Sequence, residues 1–91
     1  MRELPDNLVA YKKTAVFTEE TVPTGLLNHH NTRAATWGLI QLESGTVDLV
    51  VPEENNRVIT LSPERPGIVA PEIVHHLKVT GPVRFAVSFM R

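Results

Sequence analysis

The 91-residue sequence contains no cysteine. This excludes disulfides, thiolate zinc sites, cysteine-ligated iron–sulfur clusters and a cysteine nucleophile, so any metal must be held by imidazole, carboxylate, amide or water. Long apolar runs are missing too. Stretches such as Leu49-Val50-Val51 and Ile68-Val69-Ala70 fall far short of a membrane span. There is no basic stripe to neutralise phosphates: nine Lys and Arg are scattered among ten Asp and Glu, for a formal net charge of −1. Nucleic acid is therefore not the expected partner. The opening Met1-Arg2-Glu3-Leu4-Pro5-Asp6 carries acids and a proline where a secretory signal needs an apolar segment, so a cytoplasmic protein is expected. Internal repeats, low-complexity stretches and interdomain linkers are likewise lacking, and the length suits one domain, residues 1–91, rather than two.

What is present points to strands. Seven prolines leave few windows long enough for a helix. Turn-forming residues recur at Pro23-Thr24-Gly25, Glu43-Ser44-Gly45, Glu53-Glu54-Asn55-Asn56, Ser62-Pro63-Glu64-Arg65-Pro66-Gly67 and Thr80-Gly81-Pro82. Between these marks lie short segments rich in Val, Ile, Leu, Thr and Phe, at residues 8–14, 26–31, 36–42, 46–51, 57–61, 67–70, 74–79 and 83–90. Several short strands at this spacing predict an all-β sandwich or barrel. The period agrees: Val83, Phe85, Val87 and Phe89 alternate with Arg84, Ala86, Ser88 and Met90, and Val47, Leu49 and Val51 share a face opposite Asp48.

All four histidines occur as adjacent pairs, His29-His30 and His75-His76. Successive side chains on a strand point to opposite faces, so one member of each pair faces inward. His75 shares its parity with Ile73, Leu77 and Val79, whereas His76 goes with Val74 and Lys78, which predicts His75 inside. At the first pair the parity is indecisive. Two inward imidazoles from distant strands could hold a divalent metal, bind an anion or move a proton. The plainer account is a pair of hydrogen-bonded pocket histidines without metal, because two ligands do not make a site. Glu72, three residues before His75, is the best-placed third ligand, with Asp48, Glu43 and Gln41 behind it; each alone reads equally as a solvated turn or surface residue.

Two stretches are familiar. His30-Asn31-Thr32-Arg33-Ala34-Ala35-Thr36-Trp37-Gly38 resembles the first motif of the TehB/YeaR-like cupins, a small domain associated with tellurite-resistance proteins. Pro63-Glu64-Arg65-Pro66-Gly67 with Pro71-Glu72-Ile73-Val74-His75 resembles the second, and Glu3-Leu4-Pro5 through Tyr11-Lys12 to Phe17 resembles the opening segment. The resemblance implies a cupin double-stranded β-helix, a jelly-roll barrel, with His30 and His75 lining its cavity. It also implies a homodimer.

The sequence departs from the wider cupin pattern. If Gly45 closes the first motif, Gly38 stands where a ligating Glu is usual and Thr32 where a second His is usual. In the second motif Glu72 stands where a glycine is usual three residues before the histidine. This yields His30, Glu72 and His75 as the expected metal set, zinc or another divalent ion being the expected metal. Thr32, Trp37 and Gln41 are the expected ligand-binding residues, Trp37 serving either as a stacking wall or as packing in the core or a dimer interface. Gly38 leaves space beside Trp37 for a ligand. The methyl transfer linked with the family is not expected here, since no Gly-rich strand-to-helix turn for a nucleotide cofactor is present. The leading expectation is a stand-alone stress-response cupin binding a small molecule or ion. The alternatives are a metal-dependent enzyme with open coordination positions and a non-catalytic dimerising module.

Overall fold

The fold is known from a computed structural model that describes residues 5, 7–27, 30, 31 and 35–91, with 30 and 31 described by backbone pairing alone. The elements are β1 (Ala10–Lys13), β2 (Phe17–Thr18), α1 (Thr24–Leu27), β3 (His30–Asn31), β4 (Trp37–Gly45), β5 (Val47–Val51), a 3-10 turn (Pro52–Glu54), β6 (Arg57–Leu61), β7 (Gly67–Val69), β8 (Val74–Lys78) and β9 (Val83–Met90). They form two sheets, one ordered β1-β9-β4-β7 with β2 also on β9, the other ordered β3-β8-β5-β6. Every pairing is antiparallel. The described residues are thus mostly strand with almost no helix, as the turn spacing predicts. No ladder joins the two sheets into a closed barrel among the described residues. Nor is any helix among them long and apolar enough to cross a membrane.

The chain passes repeatedly from sheet to sheet. The β4–β5, β6–β7 and β8–β9 connections each leave one sheet and enter the other. At the first of these Gly45 takes φ 79°, and a Cβ there would run into the carbonyl oxygen of Pro82 and the Cα of Val83. Only glycine suits both constraints. Asn55 and Asn56, after the 3-10 turn, also lie in the left-handed region, which asparagine tolerates better than most residues.

One core fills the space between the sheets. β4, β7 and β9 contribute Ile40, Leu42, Val69, Val83, Phe85 and Val87; β5, β6 and β8 contribute Val47, Leu49, Val51, Ile59, Leu61 and Leu77. Period-2 alternation is clear in β5 and β8, where alternate residues are buried. β9 differs from its expected half-buried pattern, because Ala86 and Ser88 are buried as well. β9 carries ladders on both edges, and these small side chains lie across from Gln41 and Leu39 of β4.

Three local departures have physical causes. Of residues 26–31, expected as one strand, 26 and 27 belong to the helical turn α1, 30 and 31 form β3, and 28 and 29 lie outside the described residues; the Leu26 N–H donates to the Pro23 carbonyl (3.0 Å), and Leu26 packs on the core. β4 continues past Leu42 to Gly45 because a register shift between Leu42 and Ser44 absorbs the extra residue. β2, too short to give a periodic signal, is anchored by Phe17, whose ring meets Phe85 edge-on at 5.7 Å.

Candidate functional site

His75 sits in the middle of β8, buried together with Leu77, while Val74 and His76 are half-buried on the other parity. Its exposure is 6%. Its Nδ1 lies 2.8 Å from the Ile73 carbonyl oxygen. A carbonyl only accepts, so Nδ1 carries the proton and donates. Such a bond fixes both tautomer and ring orientation. The turn before β8 precedes this contact: Glu72 adopts φ 60°, and the chain enters β8 at Val74, one residue before His75.

β3 pairs with β8 so that His30 stands opposite His75, and Asn31 opposite Val74. Two histidines more than forty residues apart in sequence, His30 and His75, thereby share one rung of the backbone ladder.

A chamber of about 20 Å³ lies beside His75. Gly38 and Ile40 of β4, Val69 of β7, and Val87 and Phe89 of β9 line it from one sheet, Leu77 and His75 from the other, and Leu26 from α1. Its volume suits roughly one water-sized group. His75 is the one polar side chain among these lining residues. Adjoining the chamber is a wider, more open cavity of about 230 Å³, which shares Leu26, Val87 and Phe89 and adds Thr14, Phe17, Pro23 and Gly25. A separate cavity of about 50 Å³ lies among Leu49, Val51, Ile59 and Ala70, with Glu54 as its charged member.

The other expected site residues are not gathered here. Glu72 is exposed and does not line the chamber. Trp37 and Gln41 alternate onto the opposite face of β4, Trp37 half-buried and Gln41 exposed, so Gly38 and Ile40 meet the chamber instead. Thr32 lies outside the described residues. Asp48 accepts a hydrogen bond from Thr60 across the β5–β6 ladder (2.9 Å), and Glu43 faces Arg84 at 3.6 Å on the surface. Among the described residues no group of three His, Asp or Glu side chains is placed to hold a metal ion. His75 alone fits one position of a metal's shell, which is not a site. Leu26, Val87 and Phe89 were legible in sequence only as apolar strand residues, and Phe17 only as the end of the opening segment, with no signal that they would border a cavity.

The TehB-like domain family matches residues 12–87. No curated protein matches the sequence significantly. Among solved structures, a crystal structure of a protein from E. coli strain K12 superposes with TM-score 0.89 at 19% identity, covering 100% of this chain and 97% of that one. TehB from Haemophilus influenzae superposes with TM-score 0.84 at 23% identity, covering 93% of this chain and 32% of that one. The chain thus spans about a third of that TehB. At such identities the likeness is one of fold.

Proposed function

This chain belongs to the TehB-like domain family, and on that footing we propose that it is a small binding domain of the tellurite-resistance type, a cupin jelly roll that takes a small molecule or ion between its sheets. One observation carries the reading: a buried imidazole, oriented by Ile73, is the one polar side chain among the described residues of an otherwise apolar chamber. A buried polar group in such a place favours a ligand that can hydrogen-bond to it. The sheet-to-sheet crossings at β4–β5, β6–β7 and β8–β9 support the jelly-roll reading.

His30 belongs to this proposal as the residue opposite His75. A divalent ion such as zinc would be held by this pair with a third ligand. Exposed Glu72 has no geometric support for that role beyond its closeness in sequence. Pairing of two copies belongs to the same reading. Trp37, Leu39, Ile68 and Met90, half-buried on the outer parity of β4, β7 and β9, supply an apolar face for it.

The test is a thermal-shift panel of Zn²⁺, Ni²⁺, tellurite, and small neutral alcohols and phenols, on the wild type and on His75→Ala and His75→Gln. A ligand at a hundred times its Kd adds about 2.7 kcal/mol. For a domain of this size that raises Tm by roughly 11–22 °C. The expected result is at least one saturable shift that both variants abolish. A panel without any shift, or shifts that survive both substitutions, overturns the proposal.

A further inference from the structure

We propose that the cleft between β2, α1 and β9 is a second binding site, which takes a monocarboxylate with a hydrocarbon body: the body in the 230 Å³ cavity, the carboxylate on the ammonium of Lys12. The site goes beyond the His75 reading and does not depend on it. Its apolar half is formed by Phe17, Pro23, Leu26, Val87 and Phe89. Phe17 meets Phe85 edge-on, and Phe17, Leu26 and Phe89 all pack against the core. These walls are therefore held by the packing of the fold itself. At the β1 side, Thr14 ties the chain to β9. Its N–H donates to the Val87 carbonyl (2.9 Å), while its hydroxyl accepts from the Val87 N–H (3.0 Å) and donates to the Ala15 carbonyl (2.9 Å).

Lys12 supplies the charged half. In the β1–β9 ladder it stands directly opposite Phe89, whereas Lys13 stands opposite Ser88. Facing residues of an antiparallel pair project from one side of the sheet, with Cβ atoms about 4.5–5.5 Å apart. Phe89 lines the cavity, so the Lys12 stem leaves β1 on the cavity's side. Lys12 is exposed, which sets its ammonium in water beside the cavity rather than within it. Glu19 and Glu20 follow Thr18, which pairs with Arg84 toward the other end of β9. An apolar hollow with a lysine on its border suits a ligand of matching polarity. The hydrocarbon leaves water, and the carboxylate keeps part of its hydration while meeting an opposite charge. Size narrows the class further. An apolar cavity of about 150 Å³ accepts benzene, so 230 Å³ accommodates a body of roughly nine carbons at the same ratio. Medium-chain fatty acids and phenylalkanoates are of this kind.

The test titrates butanoate, hexanoate, octanoate, 1-octanol and octylammonium at low salt into the wild type, Lys12→Gln and His75→Gln. Kd is read from the ¹H–¹³C methyl signals of Leu26 and Val87, which line the cavity. Octanoate should shift these saturably and leave the methyls of Val47 and Leu61, fully buried elsewhere in the core, in place. From butanoate to octanoate Kd should fall about three- to fourfold per CH2. Lys12→Gln should weaken octanoate about two- to fivefold, the range of an exposed ion pair, and leave 1-octanol unchanged. Salt at 0.5 M should remove that difference. Octylammonium should bind the wild type more weakly than octanoate does. Because Lys12 is exposed, the variant should melt like the wild type. His75→Gln should bind octanoate as the wild type does.

The proposal is overturned if octanoate leaves the Leu26 and Val87 methyls unmoved, or if octylammonium binds as tightly as octanoate. It is equally overturned if Lys12→Gln treats octanoate and 1-octanol alike. Loss of octanoate binding in His75→Gln would assign the ligand to the chamber instead and also overturn it. If octanoate binds through Lys12 but no probe gives a His75-dependent thermal shift, the His75 reading fails and this site stands.

Discussion

Replacing Gly45 by alanine probes the corner at which the chain leaves the larger sheet for the smaller one. Two costs can be worked out from the geometry. At φ 79° an L-residue sits in the left-handed region, at about 1–2 kcal/mol. The new methyl also meets main chain rather than a movable side-chain tip: the Pro82 carbonyl, and the Val83 Cα at 2.9 Å. Forcing atoms into a packed site typically adds about 1–3 kcal/mol. The sum is about 2–5 kcal/mol out of a total stability of roughly 5–15 kcal/mol. At about 4–8 °C per kcal/mol, Gly45→Ala should lower Tm by at least roughly 8–16 °C. Circular dichroism melting, with urea denaturation beside it, measures the loss. Gly25→Ala is the internal control, since that position has open space and lies in a helical turn. It should be neutral or stabilising by about 0.5–1 kcal/mol. A Gly45→Ala protein melting within about 3 °C of wild type, or a Gly25→Ala protein equally damaged, would refute this reading of the corner.

Two further substitutions test the core and the chamber. Phe85 is fully buried and edge-on to Phe17, so Phe85→Ala should cost about 3–5 kcal/mol by urea denaturation; a loss under about 1 kcal/mol contradicts its place in the core. At Gly38 an added Cβ would lie 3.7 Å from the Val69 Cβ, an ordinary contact, so Gly38→Ala should melt like the wild type. Its methyl nevertheless occupies a chamber of water-like size, so thermal-shift titration should show ligand binding weakened at least tenfold; unchanged binding contradicts the chamber's role.

The strand architecture was legible because period 2 is strong where one face is buried. In β8, Leu77 shares the parity of His75 and both are buried, as the alternation predicts, and β6 occupies residues 57–61 as expected. The same rule misleads at β4. Trp37, Leu39 and Gln41 share a parity headed by the largest aromatic, yet Gly38, Ile40 and Leu42 face the core. A glycine among the inward residues hid the true period, since it contributes nothing to an apolar count. The motif spacing that drew Glu72 toward His75 was a turn position: its φ of 60° satisfies the backbone, and its side chain is exposed. Cavities are less legible still. The space beside Phe17 and Phe89 depends on how α1 docks across the sheets, and a four-residue helical turn leaves little trace in periodicity.

The most direct test of His75 as the pocket's recognition group is the ¹⁵N spectrum of its imidazole, recorded free and saturated with the panel ligand that gives a His75-dependent thermal shift. The ring should be the Nδ1–H tautomer, held by the Ile73 carbonyl, with imidazole nitrogen resonances that move on binding. An Nε2–H tautomer would contradict it. So would a titration with that ligand that shifts the methyl signals of Val87 and Leu26 while leaving both His75 nitrogens unchanged.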